Sequence, residues 1–104
     1  MPRHRSFSVV ISTDGRRESL AQTLESLRHL DYPIFEVCVV AGPTPDGTME
    51  LLETWRDKIK ILSCPVRNIS ISRNLGIGLA AGEIVAFIDD DAIPESDWLT
   101  RLNE

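Results

Sequence analysis

Four short apolar segments alternate with four amphipathic ones along the chain, and this alternation limits the possible folds more than any other feature. The apolar segments cover residues 7–12, 35–41, 59–63 and 84–88. They are rich in β-branched side chains, as is typical of strands buried on both faces of a parallel sheet. The order β-α-β-α-β-α-β-α predicts an α/β fold, a Rossmann-like three-layer sandwich with a mostly parallel four-stranded sheet.

The helical segments are predicted from apolar residues that recur at spacings of three and four. The clearest set predicts a helix over residues 18–30 and consists of Leu20, Leu24, Leu27 and Leu30. A shorter helix is predicted around Leu52. A third is predicted to be capped near Ser70, and a fourth to have Pro94 or Glu95 in its first turn.

Three glycines in the second half of the chain lead to predictions of their own. Gly76 and Gly78 lie inside the third helical segment, where each costs roughly 1 kcal/mol relative to alanine. Such a cost predicts that another backbone segment packs closely against that face of the helix. Gly82 is predicted to take the left-handed conformation that commonly follows a helix end.

Length and charge narrow the function classes. A chain of 104 residues predicts a single domain, 1–104, and its longest apolar runs fall far short of the ~20 residues of a membrane helix. The net charge of −5 argues against nucleic acid as a partner, because phosphate backbones bind basic surfaces. Cys38 and Cys64 lack the spacing of metal ligands and favour a reducing, intracellular setting. The predicted location is the cytoplasm, which includes the inner face of a membrane.

Ligands of parallel sheets bind outside the carboxyl ends of the strands, where the predicted loops begin. Ser12, Thr13 and Asp14 are predicted to line a pocket at the end of the first strand; the alternative is a plain turn in which Asp14 caps the first helix. After the second strand, the Asp46-Gly47 pair favours an ordinary turn. The chain has neither the glycine-rich dinucleotide pattern nor the P-loop pattern, so neither phosphate cradle is supported.

Two arginines, Arg67 and Arg73, flank the predicted start of the third helix. A helix N-terminus with arginine nearby suits an anionic group such as a phosphate. The alternative is that Arg73 is solvated and that Asn74 hydrogen-bonds to the backbone.

Three consecutive acids follow the fourth apolar segment directly, in the sequence FIDDDA. Asp89 and Asp91 have the Asp-x-Asp spacing of a hard-oxygen site, which Mg²⁺ or Mn²⁺ prefers and which leaves coordination positions open for phosphate oxygens. A divalent ion would also offset the repulsion among the acids. The alternative is a solvated acidic turn, and the position at the ligand-binding edge favours the metal.

Several segments together form a specific pattern that begins at Phe7. They are FSVVIST, LAQTLESLRHLDYP, FEVCVVAGPTPDGT and, most specific, RNISISRNLGIGLAAGEIVAFIDDDAIPESDWL. With this pattern the chain resembles the amino-terminal, nucleotide-binding half of a family 2 glycosyltransferase with the GT-A fold. The resemblance implies transfer of a sugar from a nucleotide-diphosphate sugar, usually with inversion and with Mg²⁺ or Mn²⁺.

The resemblance also implies roles for individual residues. Ser12 and Asp14 would line the nucleoside pocket, with an arginine near the base or the diphosphate. Asp89 would face the ribose and the metal, and Asp91 would bind the metal that bridges the diphosphate. The full predicted nucleotide-binding set is Ser12, Thr13, Asp14, Gly42, Arg67, Arg73, Asp89 and Asp90, with Asp89 and Asp91 as the metal ligands.

The chain departs from the family pattern in two ways. The family often has an aromatic residue where Asp14 stands and a base-recognising aspartate where Gly42 stands; a UDP-sugar remains the default donor. The family's acceptor site and general base lie in a second half, beyond the Asp-x-Asp segment. We therefore expect this chain to be the donor-binding half, which binds a nucleotide sugar weakly and transfers little or no sugar by itself.

The end of the chain carries one more expectation. Trp98, Leu99 and Leu102 are predicted to expose an apolar face, through which the chain would contact the missing half or form a homo-oligomer. Alternative functions are a non-catalytic nucleotide-binding or interaction module, a metal-dependent phosphatase and a sugar nucleotidyltransferase. The phosphatase fits less well, because such enzymes usually have their Asp-x-Asp motif after the first strand. The nucleotidyltransferase fits less well, because such enzymes have a glycine-rich loop after the first strand.

Overall fold

A computed structural model describes residues 3–104 and shows strands and helices in strict alternation. In chain order they are β1 (Phe7–Thr13), α1 (Arg17–Arg28), β2 (Phe35–Ala41), α2 (Thr48–Glu53), β3 (Lys60–Ser63), α3 (Ile69–Leu79), β4 (Ile84–Asp89) and α4 (Trp98–Leu102). The strands form one sheet in the order β3-β2-β1-β4, and every neighbouring pair is parallel. The predicted α/β fold with a four-stranded parallel sheet is confirmed.

The two faces of the sheet are covered unequally. One face of β1 and β2 packs against the leucines of α1, together with Leu52 of α2 and Leu99 of α4, and forms the main hydrophobic core. On the other face α3 packs on β1, β2 and β3. The side of β4 that faces this way is left open, and Phe87 there is 42% exposed. The prediction of a sheet covered on both faces therefore holds for three of its four strands.

Close packing of α3 against the sheet explains why a glycine is needed at one of its two glycine positions, but not at the other. A Cβ atom at Gly76 would lie 2.4 Å from Cγ1 of Val10 on β1, whereas a Cβ at Gly78 would meet nothing within 4 Å. The neighbour of Gly76 is a side chain rather than the backbone that we predicted. Gly76 allows α3 to pack closely on the centre of the sheet, whereas Gly78 contributes nothing to this packing.

Gly82 does not take the predicted left-handed conformation; in residues 3–104 a positive φ occurs at Gly15 and Gly47. Instead, a Cβ at Gly82 would lie 2.7 Å from the carbonyl carbon of Phe7 and 2.8 Å from the amide nitrogen of Ser8. The chain therefore crosses the amino end of β1 in near contact with its backbone. Close approach, and not a helix cap, is what requires glycine there.

The predicted starts of the last two helices are wrong by a few residues. α3 is capped by Asn68, whose Oδ1 accepts a hydrogen bond from the Ile71 amide, and not by Ser70. α4 begins at Trp98, so Pro94 and Glu95 lie in the segment before it. In both cases the periodicity of apolar residues located the helix, but the cap depends on backbone geometry that periodicity does not specify.

The predicted apolar face at the end of the chain does not form as expected. Leu99 is fully buried in the core, and Trp98 is partly buried against that core. Leu102 alone of the three is exposed, at 49%. Self-association through this end stays a prediction. Across residues 3–104, no helix is both long enough and apolar enough to span a bilayer.

Candidate functional site

Two adjoining depressions lie at the carboxyl ends of β1, β2 and β4, where the sequence placed the ligand edge. The smaller has a volume of about 200 Å³ and the larger about 400 Å³. Both are lined by Ser12 and Ile69, so these two residues form the boundary between them. We refer to them as the β2-side depression and the β4-side depression.

The β2-side depression contains the predicted residues Ser12, Thr13, Asp14, Gly42 and Arg67. The Asp14 carboxylate forms an ion pair with Arg67, at 3.5 Å between Oδ1 and Nε. The Arg67 guanidinium also donates a hydrogen bond to the carbonyl of Pro43, 2.9 Å away. The loops after β1, β2 and β3 are thereby linked around this depression.

Asp14 is not the cap of α1, so that alternative is wrong. α1 is preceded by Arg16 at its N-cap position, and no side chain caps it there. Asp14 lies instead beside Gly42. A Cβ atom added at Gly42 would lie only 2.9 Å from Oδ1 of Asp14. The Asp14 carboxylate thus fills the space that a side chain at position 42 would need. The two departures from the family pattern are spatially one feature.

Ser12 lies between the two depressions. Its hydroxyl accepts a hydrogen bond from the buried Ser72 hydroxyl of α3, at 2.7 Å. In the sheet register Ser12 is paired with Asp89 of β4. We refer to residues 89–91 as the acidic turn. The first turns of α3 and the start of the acidic turn therefore meet at the carboxyl end of β1.

The β4-side depression contains Arg73 and Asp89. Phe87, Ile93, Pro94 and Trp98 supply much of its lining. The Arg73 guanidinium carbon lies 5.6 Å from the centre of the Phe87 ring, a cation–π arrangement. The two predicted arginines are therefore separated: Arg67 borders the depression of Asp14, and Arg73 borders that of Asp89.

The three consecutive aspartates point in different directions. The Asp90 side chain is only 10% exposed and accepts a hydrogen bond from the buried Thr13 hydroxyl, 2.9 Å from its Oδ2. Asp89 and Asp91 are exposed. Asp90 therefore anchors the turn to β1, and we find it inside the fold rather than at the nucleotide surface where it was predicted.

Two residues that no sequence pattern singled out also hold this turn. The Thr23 hydroxyl of α1 lies 3.0 Å from the carbonyl oxygen of Asp90 and 2.8 Å from that of Ala92. The Arg16 guanidinium lies 3.1 Å from Oδ2 of Asp91 and 3.5 Å from Oδ1 of Asp90. Thr23 looked like one polar residue on a helix, and only the packing of α1 beside the turn shows what it contacts.

The donor set fits a hard divalent cation in part. Asp89 makes no hydrogen bond or ion pair with another side chain within residues 3–104, and Asp91 pairs with Arg16 alone. In the same residues no group of three or more His, Cys, Asp and Glu side chains is placed to hold a metal. Two carboxylates at an open surface match an ion that takes its remaining ligands from phosphate and water, as Mg²⁺ usually does.

The loop after β2 is an ordinary turn, as the sequence favoured. Oδ1 of Asp46 accepts hydrogen bonds from the Thr48 amide at 3.1 Å and the Thr44 hydroxyl at 2.9 Å, while Oδ2 accepts one from the Arg17 amide at 3.3 Å. A further hydrogen bond, from the Thr48 hydroxyl, is the main cause of the lowered pKa of Asp46. Burial opposes it, and the other three bonds lower the pKa further. The side chain is committed to the turn and is not free to replace an aspartate at position 42.

Comparison with known proteins adds a family match. A family model described as Glycosyl transferase family 2 matches residues 8–104. The succinoglycan biosynthesis protein ExoM of Rhizobium meliloti is 38% identical over 96 residues, which make up 86% of this chain and 31% of ExoM. The chain thus spans about one third or less of the length of the curated relatives that it matches.

Solved structures show the same arrangement of strands and helices. TarS 1–349 from S. aureus in complex with UDP has a TM-score of 0.85 and 29% identity, with 93% of this chain and 30% of that chain covered. The mannosyltransferase PcManGT from Pyrobaculum calidifontis in complex with GDP-Man and Mn²⁺ also has a TM-score of 0.85, at 23% identity. The match covers 99% of this chain and 34% of PcManGT, and at this identity the likeness shows the fold alone.

Proposed function

The chain belongs to glycosyl transferase family 2, and from this premise we propose that it forms the donor-binding part of a glycosyltransferase. It would bind a nucleotide-diphosphate sugar across the two depressions at the carboxyl edge of the sheet. The observation that carries the proposal is the position of Ser12, which adjoins both depressions and pairs in register with Asp89. A diphosphate that crosses this boundary would pass directly beside the exposed carboxylates.

The β2-side depression is proposed to hold the nucleoside. Its volume of about 200 Å³ suits a pyrimidine base, and Val66 and Ile69 supply apolar contacts for the flat faces of a ring. A carboxylate accepts hydrogen bonds only, so Asp14 would select a base that presents an N–H group, as uracil does. The UDP complex of TarS supports uridine diphosphate as the donor's nucleotide.

Asp89 and Asp91 are proposed as the ligands of Mg²⁺ or Mn²⁺. Such an ion, when bound, supplies positive charge that stabilises the leaving nucleoside diphosphate. Asp90 holds the turn through Thr13, and thereby fixes the direction of the carboxylates on either side of it. Arg73, next to Asp89 in the β4-side depression, is placed to pair with a phosphate or sugar oxygen.

Transfer to an acceptor is proposed for the whole protein, because the relatives are about three times as long as this chain or longer. An inverting transfer needs a general base within hydrogen-bond reach of the acceptor hydroxyl, and we assign that role to no residue of the described part. We expect the 104-residue chain by itself to bind a UDP-sugar weakly and to transfer little or no sugar. Robust transfer by the purified chain would contradict this expectation.

Thermal-shift titration tests the donor site directly. UDP, GDP and dTDP are each added with and without Mn²⁺, and we expect the largest increase in Tm for UDP with Mn²⁺. Asp91→Ala should remove the Mn²⁺-dependent part of the shift. Asp57→Ala, which removes an exposed acid in the turn after α2, is the matched control and should keep it.

A non-catalytic interaction module is the second candidate, and one observation favours it. Three large apolar side chains that line the β4-side depression are exposed: Ile69, Phe87 and Ile93. If no nucleotide changes the Tm and Asp91→Ala leaves the protein equally stable, this alternative is favoured. Light scattering on the same samples tests whether the protein forms a homo-oligomer. Family membership argues against the phosphatase and the nucleotidyltransferase.

A further inference from the structure

Arg16 contacts two of the three aspartates in the acidic turn, and the proposed function gives it no role. Its guanidinium lies 3.1 Å from Oδ2 of Asp91 and 3.5 Å from Oδ1 of Asp90, and its side chain is 61% exposed. The backbone of Arg16 is fixed, since its carbonyl accepts the hydrogen bond of the Leu20 amide that opens α1, at 2.8 Å. The residue thus combines a firmly held backbone with a long side chain that reaches the metal-ligand candidate Asp91.

We propose that Arg16 is an internal cation that occupies Asp91 before the donor binds and competes with the divalent ion for this carboxylate. The inference rests on the proposed function, because it takes Asp89 and Asp91 as the metal ligands. A carboxylate oxygen engaged by a guanidinium is not fully available to a metal, so binding of the ion must weaken the Arg16–Asp91 pair. Arg16 is therefore a positioning residue for the site and not a ligand.

The contacts of Asp90 make such an exchange feasible. One carboxylate oxygen of Asp90 is held by Thr13, and the other lies 3.5 Å from the Arg16 guanidinium. When Arg16 leaves Asp91, it keeps the buried Asp90 as a partner. The guanidinium then needs only to shift between neighbouring carboxylates, and no charge on the protein is left unpaired.

A merely structural role for Arg16 fits these contacts less well. The turn is already tied to β1 by the Thr13–Asp90 bond and to α1 by the Thr23 hydroxyl. An ion pair as exposed as Arg16–Asp91 contributes little to folding. What it does change is the charge at the metal site: the guanidinium offsets the repulsion among three acids when no ion is present and opposes a second positive charge.

A titration with Mn²⁺ tests the proposal without any measurement of activity. The electron paramagnetic resonance signal of the free ion reports how much Mn²⁺ the protein binds. We expect Arg16→Ala to bind Mn²⁺ roughly five-fold more tightly than the unmodified protein, as the loss of a competing surface ion pair implies. Arg16→Lys, which keeps the charge but loses the forked geometry, should lie between the two. The matched control is Arg17→Ala, which removes the same charge one residue further on and should change the affinity by less than about two-fold.

A second measurement uses the unmodified protein and covers the case in which Arg16→Ala folds poorly. The Nε–Hε resonance of Arg16, assigned by its loss in Arg16→Lys, should shift on addition of Mg²⁺ with UDP, while that of Arg17 stays in place. Equal or weaker Mn²⁺ binding by Arg16→Ala, or an unmoved Arg16 resonance, overturns the inference alone. If the unmodified protein and Arg16→Ala both bind no Mn²⁺, the metal part of the proposed function fails with it.

Discussion

The two ends of the sheet both hold carboxylates, but they hold them in opposite ways. At the amino end, the Glu36 carboxylate accepts hydrogen bonds from the Ser8 hydroxyl and the Ala81 amide and forms a 2.8 Å ion pair with Lys60. At the carboxyl end, Asp89 has no side-chain partner within residues 3–104, and Asp91 has only Arg16.

This difference separates an end whose carboxylate stabilises the fold from the end that we propose binds the donor. Burial disfavours the charged form of Glu36, but the bonds from Lys60, Ser8 and Ala81 outweigh it and lower the pKa of Glu36 to about 2. Lys60 also donates to the carbonyl of Leu79, so the same group ties the end of α3 to β2 and β3. Carboxylates that are satisfied by the fold stabilise it, whereas those left exposed at the opposite end remain available to a ligand.

The largest expected effect is on ligand binding at the carboxyl end. Asp91→Asn keeps the size of the side chain but removes the charge that a metal requires. We expect the affinity for UDP in the presence of Mn²⁺ to fall by roughly 10- to 100-fold, at least the loss seen when an outer partner of a metal site is removed. Isothermal titration calorimetry measures this, and an unchanged Kd would exclude Asp91 as a ligand. The free energy of unfolding should hardly change, in contrast to the next variant.

Glu36→Gln at the amino end should lower stability and leave UDP binding unchanged. The pKa of Glu36 is lowered from 4.5 to about 2 on folding, so its ionised form contributes stability that is fully present above pH 4.5 and is lost as the pH falls towards 2. A shift of that size corresponds to at most about 3 kcal/mol. Urea unfolding at several pH values checks this: the difference between the two proteins should shrink between pH 4.5 and 2. Glu50→Gln, an exposed acid of α2, is the control, and a constant difference would contradict the linkage.

A smaller loss of stability is expected for Gly82→Ala, at the amino end of the sheet, where the Ser8 hydroxyl contacts both Gly82 and Glu36. The added Cβ would lie 2.7 Å from the backbone of Phe7, which has no room to move within the sheet. We expect the free energy of unfolding to fall by about 1–3 kcal/mol, as overpacked positions typically do. Gly78→Ala is the matched control: its Cβ meets nothing, and it should stabilise α3 by up to about 1 kcal/mol. Equal effects of the two substitutions on chemical denaturation would contradict this packing.

The smallest expected effect returns to the carboxyl end and concerns the choice of base. Asp14→Asn replaces one acceptor oxygen by a donor and should weaken UDP binding by about five-fold, in line with one hydrogen bond at a partly exposed site. The preference for UDP over CDP should fall in parallel, because cytosine lacks the ring N–H of uracil. Competition binding measures both values. Asp46→Asn, in the neighbouring turn, should lower the Tm while the base preference is kept.

Much of this protein was determined by the sequence alone. The periodicity of apolar residues predicted all eight elements and their order, because a strand or helix must bury its apolar side whatever its neighbours are. The rule that ligands bind at the carboxyl ends of parallel strands then located the candidate site, and the match to glycosyl transferase family 2 confirms the GT-A type of fold.

What the sequence left undecided depends on which segments meet in space. Residues FIDDDA contain three chemically identical acids, and only the position of β4 beside β1 turns Asp90 inward to Thr13 and leaves Asp89 and Asp91 outside. A backbone contact was predicted for Gly76 and a left-handed conformation for Gly82, yet Gly82 lies against backbone and Gly76 against a side chain. Arg16 meets Asp91 across 75 positions of the chain. Such pairs are decided by packing, because long-range contacts depend on how whole elements dock and not on any local pattern.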